Sequence, residues 1–403
     1  MLRRLTVASA VVCLLSAHAA PPRAARPRQS DSYTYAPAGR ATYLKFAGEV
    51  EAALRRDALG VWFPRSIDRE HGGFYANFTR KWEPAPSEGK FSVFQGRMVW
   101  VAAQVMLRRP ELKEQFAPYV RHGVDYLRDV LWDKQHGGFY WGLDDAGRVT
   151  KEFTDGKHLY GISFCLYGLA AAYRATRDPK TLELARTTFR WMDARAHDAR
   201  AGGYFEWLTR DGRVVRARGN AFKVEEVPRA GFPVGYKSMN THIHLLEAFT
   251  ELYGVWKDAT LRSRLEELLA IVRDRVCVEP GAMNLYFTND WRPVPDHDSY
   301  GHDVETAYLM LETEEALGRG HSPRTERMAR LLVDHALAYG WDDTHGGFYR
   351  DGTAAGRAED LRKEWWAQLE GMNALLMMHE KYGGAGGAYF KAFQRQWRFI
   401  KEK

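Results

Sequence analysis

The sequence predicts an all-α fold built from repeated helical hairpins. Three observations support this prediction: apolar residues recur at helical spacing in eleven segments, turns of one Gly-Gly pattern lie between them, and 403 residues that are 45% hydrophobic allow a large core. The clearest turns recur 65 residues apart, and hairpins of that size cannot each bury their own apolar faces. They must therefore pack side by side, as a closed ring or an open solenoid.

The N-terminus carries the pattern of an export signal. A basic start precedes an apolar run at 5–15 that is too short to cross a bilayer, and residues 17–19 have the small-x-small form of a cleavage site. A segment rich in Pro, Ala, Ser and Arg follows, which predicts a disordered linker. The expected organisation is a signal peptide at 1–19, a linker at 20–40 and one folded domain at 41–403. The expected location is periplasmic or secreted.

A turn of the form D-x-x-H-G-G, followed by two aromatic residues, is the repeating unit. The Gly-Gly pair supplies positive φ for a sharp turn, and the aromatic pair predicts a short extended arm. We interpret each Asp as a hydrogen-bond acceptor for its own turn, and His71, His136 and His345 as structural residues. The copies begin at Asp68, Asp133, Asp198 and Asp342, and a degenerate copy is expected at 280–287.

Helical spacing fills the segments between these turns. Since a ring of six hairpins needs twelve helices, a chain with eleven stops one short, and an apolar seam is expected between the first and the last. The predicted helices lie near 41–60, 91–108, 112–132, 157–176, 179–197, 237–254, 258–276, 302–317, 322–339, 363–382 and 388–401.

Polar residues cluster at the starts of the even-numbered helices. The sixth helix begins with Lys237, Asn240, His242 and His244 before it turns apolar. If the even helices form an inner ring, their N-termini converge on one mouth, where helix dipoles favour oxyanions. The pattern therefore predicts a pocket for a small polar substrate at that mouth.

Composition excludes several other functions. The 58 Lys and Arg residues against 51 Asp and Glu are scattered, which argues against nucleic-acid binding. Cys165 and Cys277 are expected to be buried thiols. No glycine-rich phosphate loop or paired-cysteine pattern is present, and His242 and His244 point in different directions on one helix, so no metal site and no cofactor are predicted.

Four sequence blocks carry a family resemblance. Residues 94–97, 237–247, 299–305 and 363–370, in that order and with the D-x-x-H-G-G turns between them, resemble the N-acylglucosamine 2-epimerase superfamily, and its cellobiose 2-epimerase branch in particular. The resemblance implies an (α/α)6 barrel. It also implies cofactor-independent epimerisation at C2 of a reducing-end sugar, with aldose–ketose isomerisation in sister enzymes.

The resemblance also implies roles for individual residues. His302 matches one of the acid/base pair, His244 a helper in ring opening or carbonyl polarisation, and Glu305 a residue that orients His302. Histidine suits proton transfer in both directions because its ordinary pKa is about 6.5. Structural alternatives stay open, namely an ion pair for Arg97 and core packing for the two tryptophans. The candidate substrate-binding residues are Arg97, Asn240, Trp365, Trp366, Glu370 and Lys157.

The C-terminus departs from the family pattern. The branch carries a W-K-x-P-Y-H block before its twelfth helix, and that histidine is the other half of the acid/base pair, whereas this sequence ends without the block. The expectation is a barrel without its closing helix and reduced epimerase activity, unless another group replaces the histidine. Truncation and natural divergence both explain the departure.

Two rival functions belong to other classes. A glycoside hydrolase on the same barrel needs two carboxylates across the mouth, for which Glu305, Glu370 and Asp303 are available. The second rival function is sugar binding without catalytic activity. In each case the expected partner is a small-molecule sugar, with neither nucleic acid nor a membrane after signal cleavage, and the chain is a monomer or a homodimer.

Overall fold

A computed structural model describes residues 33–85, 89–150, 156–216, 235–294, 297–383 and 387–403, and eleven helices lie in these ranges, as predicted. The predicted signal peptide and most of the linker lie outside the described residues. The helices are α1 (Arg40–Ala53, continued by a π-helical turn Leu54–Leu59 and by Gly60–Ser66), α2 (Ser92–Arg108), α3 (Lys113–Tyr126, continued by a π-helical turn Leu127–Leu131), α4 (Leu159–Thr176), α5 (Pro179–Ala196), α6 (Met239–Val255), α7 (Ala259–Ile271, continued by a π-helical turn Val272–Val276), α8 (Tyr300–Ala316), α9 (Pro323–Tyr339), α10 (Trp365–Tyr382) and α11 (Ala388–Glu402).

The even-numbered helices form the inner ring of an (α/α)6 barrel. From α2 to α10 each inner helix packs on the next inner helix and on the outer helix that follows it in the chain. Three of the outer helices start at capping residues: Asp178 accepts backbone hydrogen bonds at the start of α5, Asp258 does so for α7 and Ser322 for α9. The alternation of polar and apolar helix starts in the sequence therefore reflects inner and outer position.

An apolar groove lies beside α1 and α11, the two helices between which the sequence predicted an exposed seam. It has a cavity volume of about 910 Å³ and is bounded by α1, α2, α10 and α11, with Trp62, Met98, Trp365 and Trp397 among its lining residues. α1 and α11 also contact each other directly, because the Phe46 and Phe393 rings pack edge to face at 5.6 Å. The groove separates inner helices α2 and α10.

The repeated turns have the predicted structure. Asp68 Oδ1 accepts hydrogen bonds from the backbone N–H groups of Glu70 and His71, at 2.9 and 3.0 Å, and Asp133, Asp198 and Asp342 do the same in their own turns. The Gly-Gly residues of these turns have positive φ. The degenerate copy is a hairpin of the same kind, in which Cys277–Val278 pairs with Ala282–Met283.

Short antiparallel strands join the repeats at the barrel end where the inner helices begin. The sequence prediction placed Lys157, Lys237 and Lys363 inside helices, and this was wrong, because each lysine precedes its helix and reaches back to the preceding turn. The strands are β1 (Lys90–Phe91), β2 (Gly142–Leu143), β3 (Lys157–His158), β4 (Trp207–Leu208), β5 (Lys237–Ser238), β6 (Cys277–Val278), β7 (Ala282–Met283), β8 (Tyr286–Phe287), β9 (Pro293–Val294), β10 (Asp298–Ser299), β11 (Asp351–Gly352) and β12 (Ala358–Asp360).

Two further predictions concern the cysteines and the membrane. Cys165 and Cys277 are both free and buried, as expected. Within the described residues no helix is long and apolar enough to span a bilayer.

Candidate functional site

Polar side chains from four inner helices and aromatic side chains from a fifth meet at the barrel mouth, the end at which these helices begin. α2 contributes one, α6 two, α8 two and α10 one, and α4 adds an aromatic wall. The charges of these groups influence one another, which shows that they share one space. We call this group the central cluster; its members are Arg97, His244, Glu247, His302, Glu305 and Glu370.

Arg97 is positioned by a close approach of α2 and α4. A Cβ at Gly96 would lie 2.3 Å from the carbonyl oxygen of Phe164, so only glycine permits this contact. The approach places the Arg97 guanidinium carbon 4.0 Å from the centre of the Phe164 ring. Burial opposes the charge of Arg97, but Tyr160 and the cluster glutamates outweigh it and raise its pKa. Arg97 is therefore a fixed positive charge at the mouth.

His244 connects two of the glutamates. Its Nδ1 lies 2.9 Å from Oε2 of Glu247 and its Nε2 lies 3.9 Å from Oε1 of Glu305. The ring packs against Tyr160 and Phe164 of α4, at centroid distances of 5.3 and 4.7 Å. Burial, reinforced by Arg97, lowers the pKa of His244 well below its ordinary value, so the imidazole is neutral near pH 7.

His302 lies beside Trp366 at the start of α8. Its Nδ1 is 2.8 Å from the hydroxyl of Ser299, and its ring centre is 4.7 Å from that of Trp366. Burial is the largest influence on the pKa of His302, and together with the neighbouring His244, His297 and Arg97 it lowers this pKa to about 3. A neutral imidazole of this kind is free to accept a proton.

Glu247 and Glu305 hold their protons more strongly than exposed carboxyls do. Burial raises the pKa of Glu247 to about 7, and burial together with Glu370 and Glu247 raises that of Glu305 well above its ordinary value. Glu370 accepts a hydrogen bond from the hydroxyl of Tyr308. The cluster therefore stores protons next to two neutral histidines, which is the arrangement that proton transfer near neutral pH requires.

Two further candidates lie at the cluster. Asn240 lies one helical turn before His244, and its side-chain oxygen is buried with no hydrogen-bond partner among the described residues. That oxygen is available to accept a hydrogen bond from a bound hydroxyl. Trp366 contacts His302, whereas Trp365 is 41% exposed and lines the apolar groove. Of the two predicted stacking residues, only Trp366 is in contact with a cluster histidine.

Lys157 is held away from the central cluster. Its side chain is fully buried, and its ammonium donates to Asp133 Oδ2 at 2.9 Å and to the carbonyl oxygen of Gly137. Lys237 has the same role with Asp198, at 2.8 Å. His242 accepts a hydrogen bond from the backbone of Tyr204. Contrary to the sequence interpretation, these residues fasten turns to inner helices and do not line the pocket.

Sequence reasoning missed Glu247, Tyr160 and Tyr308. Glu247 follows His244 by three residues on α6, a spacing that places two side chains on one helix face, so the signal was present in the sequence. Tyr160 and Tyr308 carry no comparable signal, because they are ordinary aromatic residues of apolar helices until the neighbouring helices are placed.

A second group of buried ionisable residues lies outside the central cluster. Asp298, Asp303 and His335 each offer one potential metal-ligating atom, and these atoms lie within 4.8 Å of one another. Asp303 thus faces away from His302 and Glu305, and it is unavailable as a hydrolytic carboxylate at the mouth.

The sequence and the fold were compared with known proteins. The sequence model of the family described as N-acylglucosamine 2-epimerase matches residues 73–403. A cellobiose 2-epimerase of Bacteroides fragilis is 31% identical over 88% of this chain and 86% of its own length. A D-mannose isomerase of Pseudomonas cannabina pv. alisalensis is 27% identical over 56% of this chain and 53% of its own length. The structure of cellobiose 2-epimerase from Spirochaeta thermophila superimposes with a TM-score of 0.76 at 30% identity, and covers 90% of this chain and 86% of that one.

Proposed function

We propose that this chain, which belongs to the N-acylglucosamine 2-epimerase family, epimerises C2 of the reducing-end sugar of a disaccharide such as cellobiose without a cofactor. Its relatives are carbohydrate epimerases and isomerases, and the chain is an enzyme of this class. The substrate and the reaction at C2 are the proposal. Its main support is that buried His244 lies 2.9 Å from Glu247 and 3.9 Å from Glu305, and packs on the Phe164 ring that Arg97 also contacts.

The reaction begins at the open-chain aldose. The hydrogen at C2 is weakly acidic because it lies beside the C1 carbonyl. Neutral His302 takes this proton, and the electrons of the broken C2–H bond form the C1–C2 double bond of an enediolate. Arg97 and the fixed donors around it stabilise the negative oxygen, which costs no reorganisation when they are already in place.

The second proton transfer occurs on the other face of C2. Glu247 holds a proton near neutral pH and is hydrogen-bonded to His244, so this pair supplies a proton through the imidazole. The C1–C2 double bond then returns its electrons to form the new C2–H bond, and the C1 carbonyl is regenerated. His302 passes its proton back to solvent or to the pair, which restores the enzyme for either direction of the reaction. On this proposal His244 takes the second acid/base role.

Aldose–ketose isomerisation is the second candidate. It uses the same enediolate and differs only in the carbon that receives the proton, which is C1 instead of C2. The observation that favours it is the similarity to a D-mannose isomerase. The greater identity and coverage of the cellobiose 2-epimerase relative favour epimerisation.

Hydrolysis of a glycosidic bond and sugar binding without turnover are the two remaining candidates. Glu305 and Glu370 influence each other's charge, so a carboxylate pair is present at the mouth. Glu370, however, is engaged by Tyr308, and the histidines next to the pair favour proton transfer beside a carbonyl over attack at a glycosidic bond.

Proton NMR in deuterated water tests these four functions together. Purified protein is incubated with cellobiose and, separately, with mannose. The proposal expects deuterium at C2 and new mannose-type anomeric signals from cellobiose. Ketose signals from cellobiose or mannose would indicate an isomerase, free glucose from cellobiose a hydrolase, and line broadening of the sugar without exchange a binding protein.

We further propose export to the periplasm or the medium, with the apolar run at 5–15 as the signal. Mass spectrometry of the protein from a fractionated culture tests this. A mature N-terminus at residue 20 in the exported fraction supports the proposal. An uncleaved chain confined to the cytoplasm contradicts it.

A further inference from the structure

Four of the repeated units share a buried lysine contact. Two residues before inner helices α2, α4, α6 and α10 lies a lysine whose ammonium donates to the Asp and to a Gly carbonyl of the preceding turn. We call this contact the lysine bridge. The pairs are Lys90 with Asp68, Lys157 with Asp133, Lys237 with Asp198, and Lys363 with Asp342.

The unit that leads into α8 has an anion where the others have this cation. Asp298 lies two residues before α8 and is fully buried. Its Oδ1 accepts a hydrogen bond from the backbone N–H of Met283 at 3.2 Å, in the degenerate turn. Its Oδ2 is buried and has no hydrogen-bond partner in the described part of the chain.

A second carboxylate replaces a neutral side chain in the same unit. Gln95 and Gln368, on the fourth residue of α2 and α10, bond the backbone of the aromatic residue after the Gly-Gly pair. Asp303 has this place on α8 and is fully buried. Neither of its oxygens has a hydrogen-bond partner among the described residues.

His335 from α9 completes this group. Its Nδ1 lies 3.5 Å from Asp298 Oδ2 and 3.9 Å from Asp303 Oδ2. The ring is 3% exposed, and neither nitrogen makes a hydrogen bond of acceptable geometry within the described ranges.

We propose that Asp298, Asp303 and His335 bind one divalent transition-metal cation, which replaces the lysine ammonium of the other four units. Metal–ligand distances of about 2.0–2.2 Å for zinc separate neighbouring ligand atoms by roughly 3–4 Å, and the observed separations fall in that range. Two carboxylates and one imidazole suit zinc, manganese or ferrous iron. The cation joins the degenerate turn, α8 and α9.

The charge balance supports a cation over an empty site. Two carboxylates buried together are unfavourable unless a cation or a shared proton compensates them. A shared proton satisfies at most one oxygen pair and does not involve His335. A cation satisfies all three side chains at once.

Metal analysis of the untagged wild-type protein tests the proposal. The protein is produced with added zinc or manganese chloride, dialysed and analysed by mass spectrometry for metals. About one ion per chain is expected; chelation should lower the Tm by about 3 °C or more, and added Zn²⁺ or Mn²⁺ should restore it. A wild-type chain with fewer than about 0.1 ion and no thermal response to either metal would overturn the proposal, and the two carboxyls would then share a proton. This measurement requires no variant.

Variants locate the ion. His335→Gln and Asp303→Asn are expected to lose it, and His345→Gln, at an exposed turn histidine, to keep it. Asp298→Lys supplies the ammonium of the other units and is expected to be metal-free with a Tm that no longer responds to chelation. Retention of the ion by both His335→Gln and Asp303→Asn would contradict the site. Visible absorption bands of the cobalt-substituted protein, altered in His335→Gln, give a second readout. None of these results depends on the epimerase proposal.

Discussion

Nδ1 of His244 lies 2.9 Å from Oε2 of Glu247, and the two side chains are only 3% and 10% exposed. Burial acts on the pair in opposite directions, because it raises the pKa of the carboxyl to about 7 and lowers that of the imidazole. Below about pH 7 the Glu247 carboxyl therefore keeps its proton. The hydrogen bond to His244 connects this proton to the pocket.

This pair predicts how activity depends on pH. If Glu247 supplies the second proton, kcat/KM for C2 exchange should fall as the pH rises through about 7, because the acid is then deprotonated. His302 stays neutral throughout, since its pKa is about 3, so no rising limb is expected between pH 5 and 7. Glu247→Gln should lower the rate by about 10²–10⁴-fold and remove the decline. Exposed Glu183→Gln is the control. An unchanged decline in Glu247→Gln would show that another group supplies the proton.

Replacement of His302 tests the base directly. His302→Asn keeps a polar side chain near Ser299 but cannot take up a proton, so C2 deuterium exchange should fall by about 10²–10⁴-fold while cellobiose binding by calorimetry is retained. His71→Asn, at an exposed turn histidine, should leave both unchanged. Loss of sugar binding together with exchange would mean that His302 holds the substrate and does not act as the base.

Alanine variants of the two tryptophans at the start of α10 form a matched pair for comparison. Trp366→Ala removes a ring that packs on His302, and it should lower kcat/KM by about 2- to 10-fold, equivalent to roughly 0.5–1.5 kcal/mol. Trp365→Ala changes only the groove and should have little effect on kcat/KM. Steady-state kinetics on cellobiose compares them. An equal loss in both variants would place substrate in the groove as well as at the mouth.

The fold was predictable because its signals are local and repeated. The Gly-Gly turns at Asp68 and Asp133 and the helical spacing between them depend only on neighbouring residues, so all eleven helices were found. The central cluster was partly predictable, because family blocks contain Arg97, His244 and His302. Ion pairs between residues far apart in the sequence were not predictable. The bond from Lys157 to Asp133 joins residues 24 positions apart, and nothing in either sequence neighbourhood reveals it.

The same bond gives the last prediction. Lys157→Met would remove the closest cation of the buried Asp133 carboxylate and leave it with Arg210 Nε at 3.6 Å, which costs up to about 3–5 kcal/mol in the free energy of unfolding. The double variant Lys157→Met with Asp133→Asn removes both charges and should recover part of this loss, while Lys134→Met, 60% exposed on the same turn, should have little effect. Urea unfolding measures these free energies.

Because the lysine bridge is remote from the central cluster, KM of the folded Lys157→Met protein should be unchanged. Wild-type stability with a raised KM would instead return Lys157 to the substrate-binding residues, as the sequence first indicated.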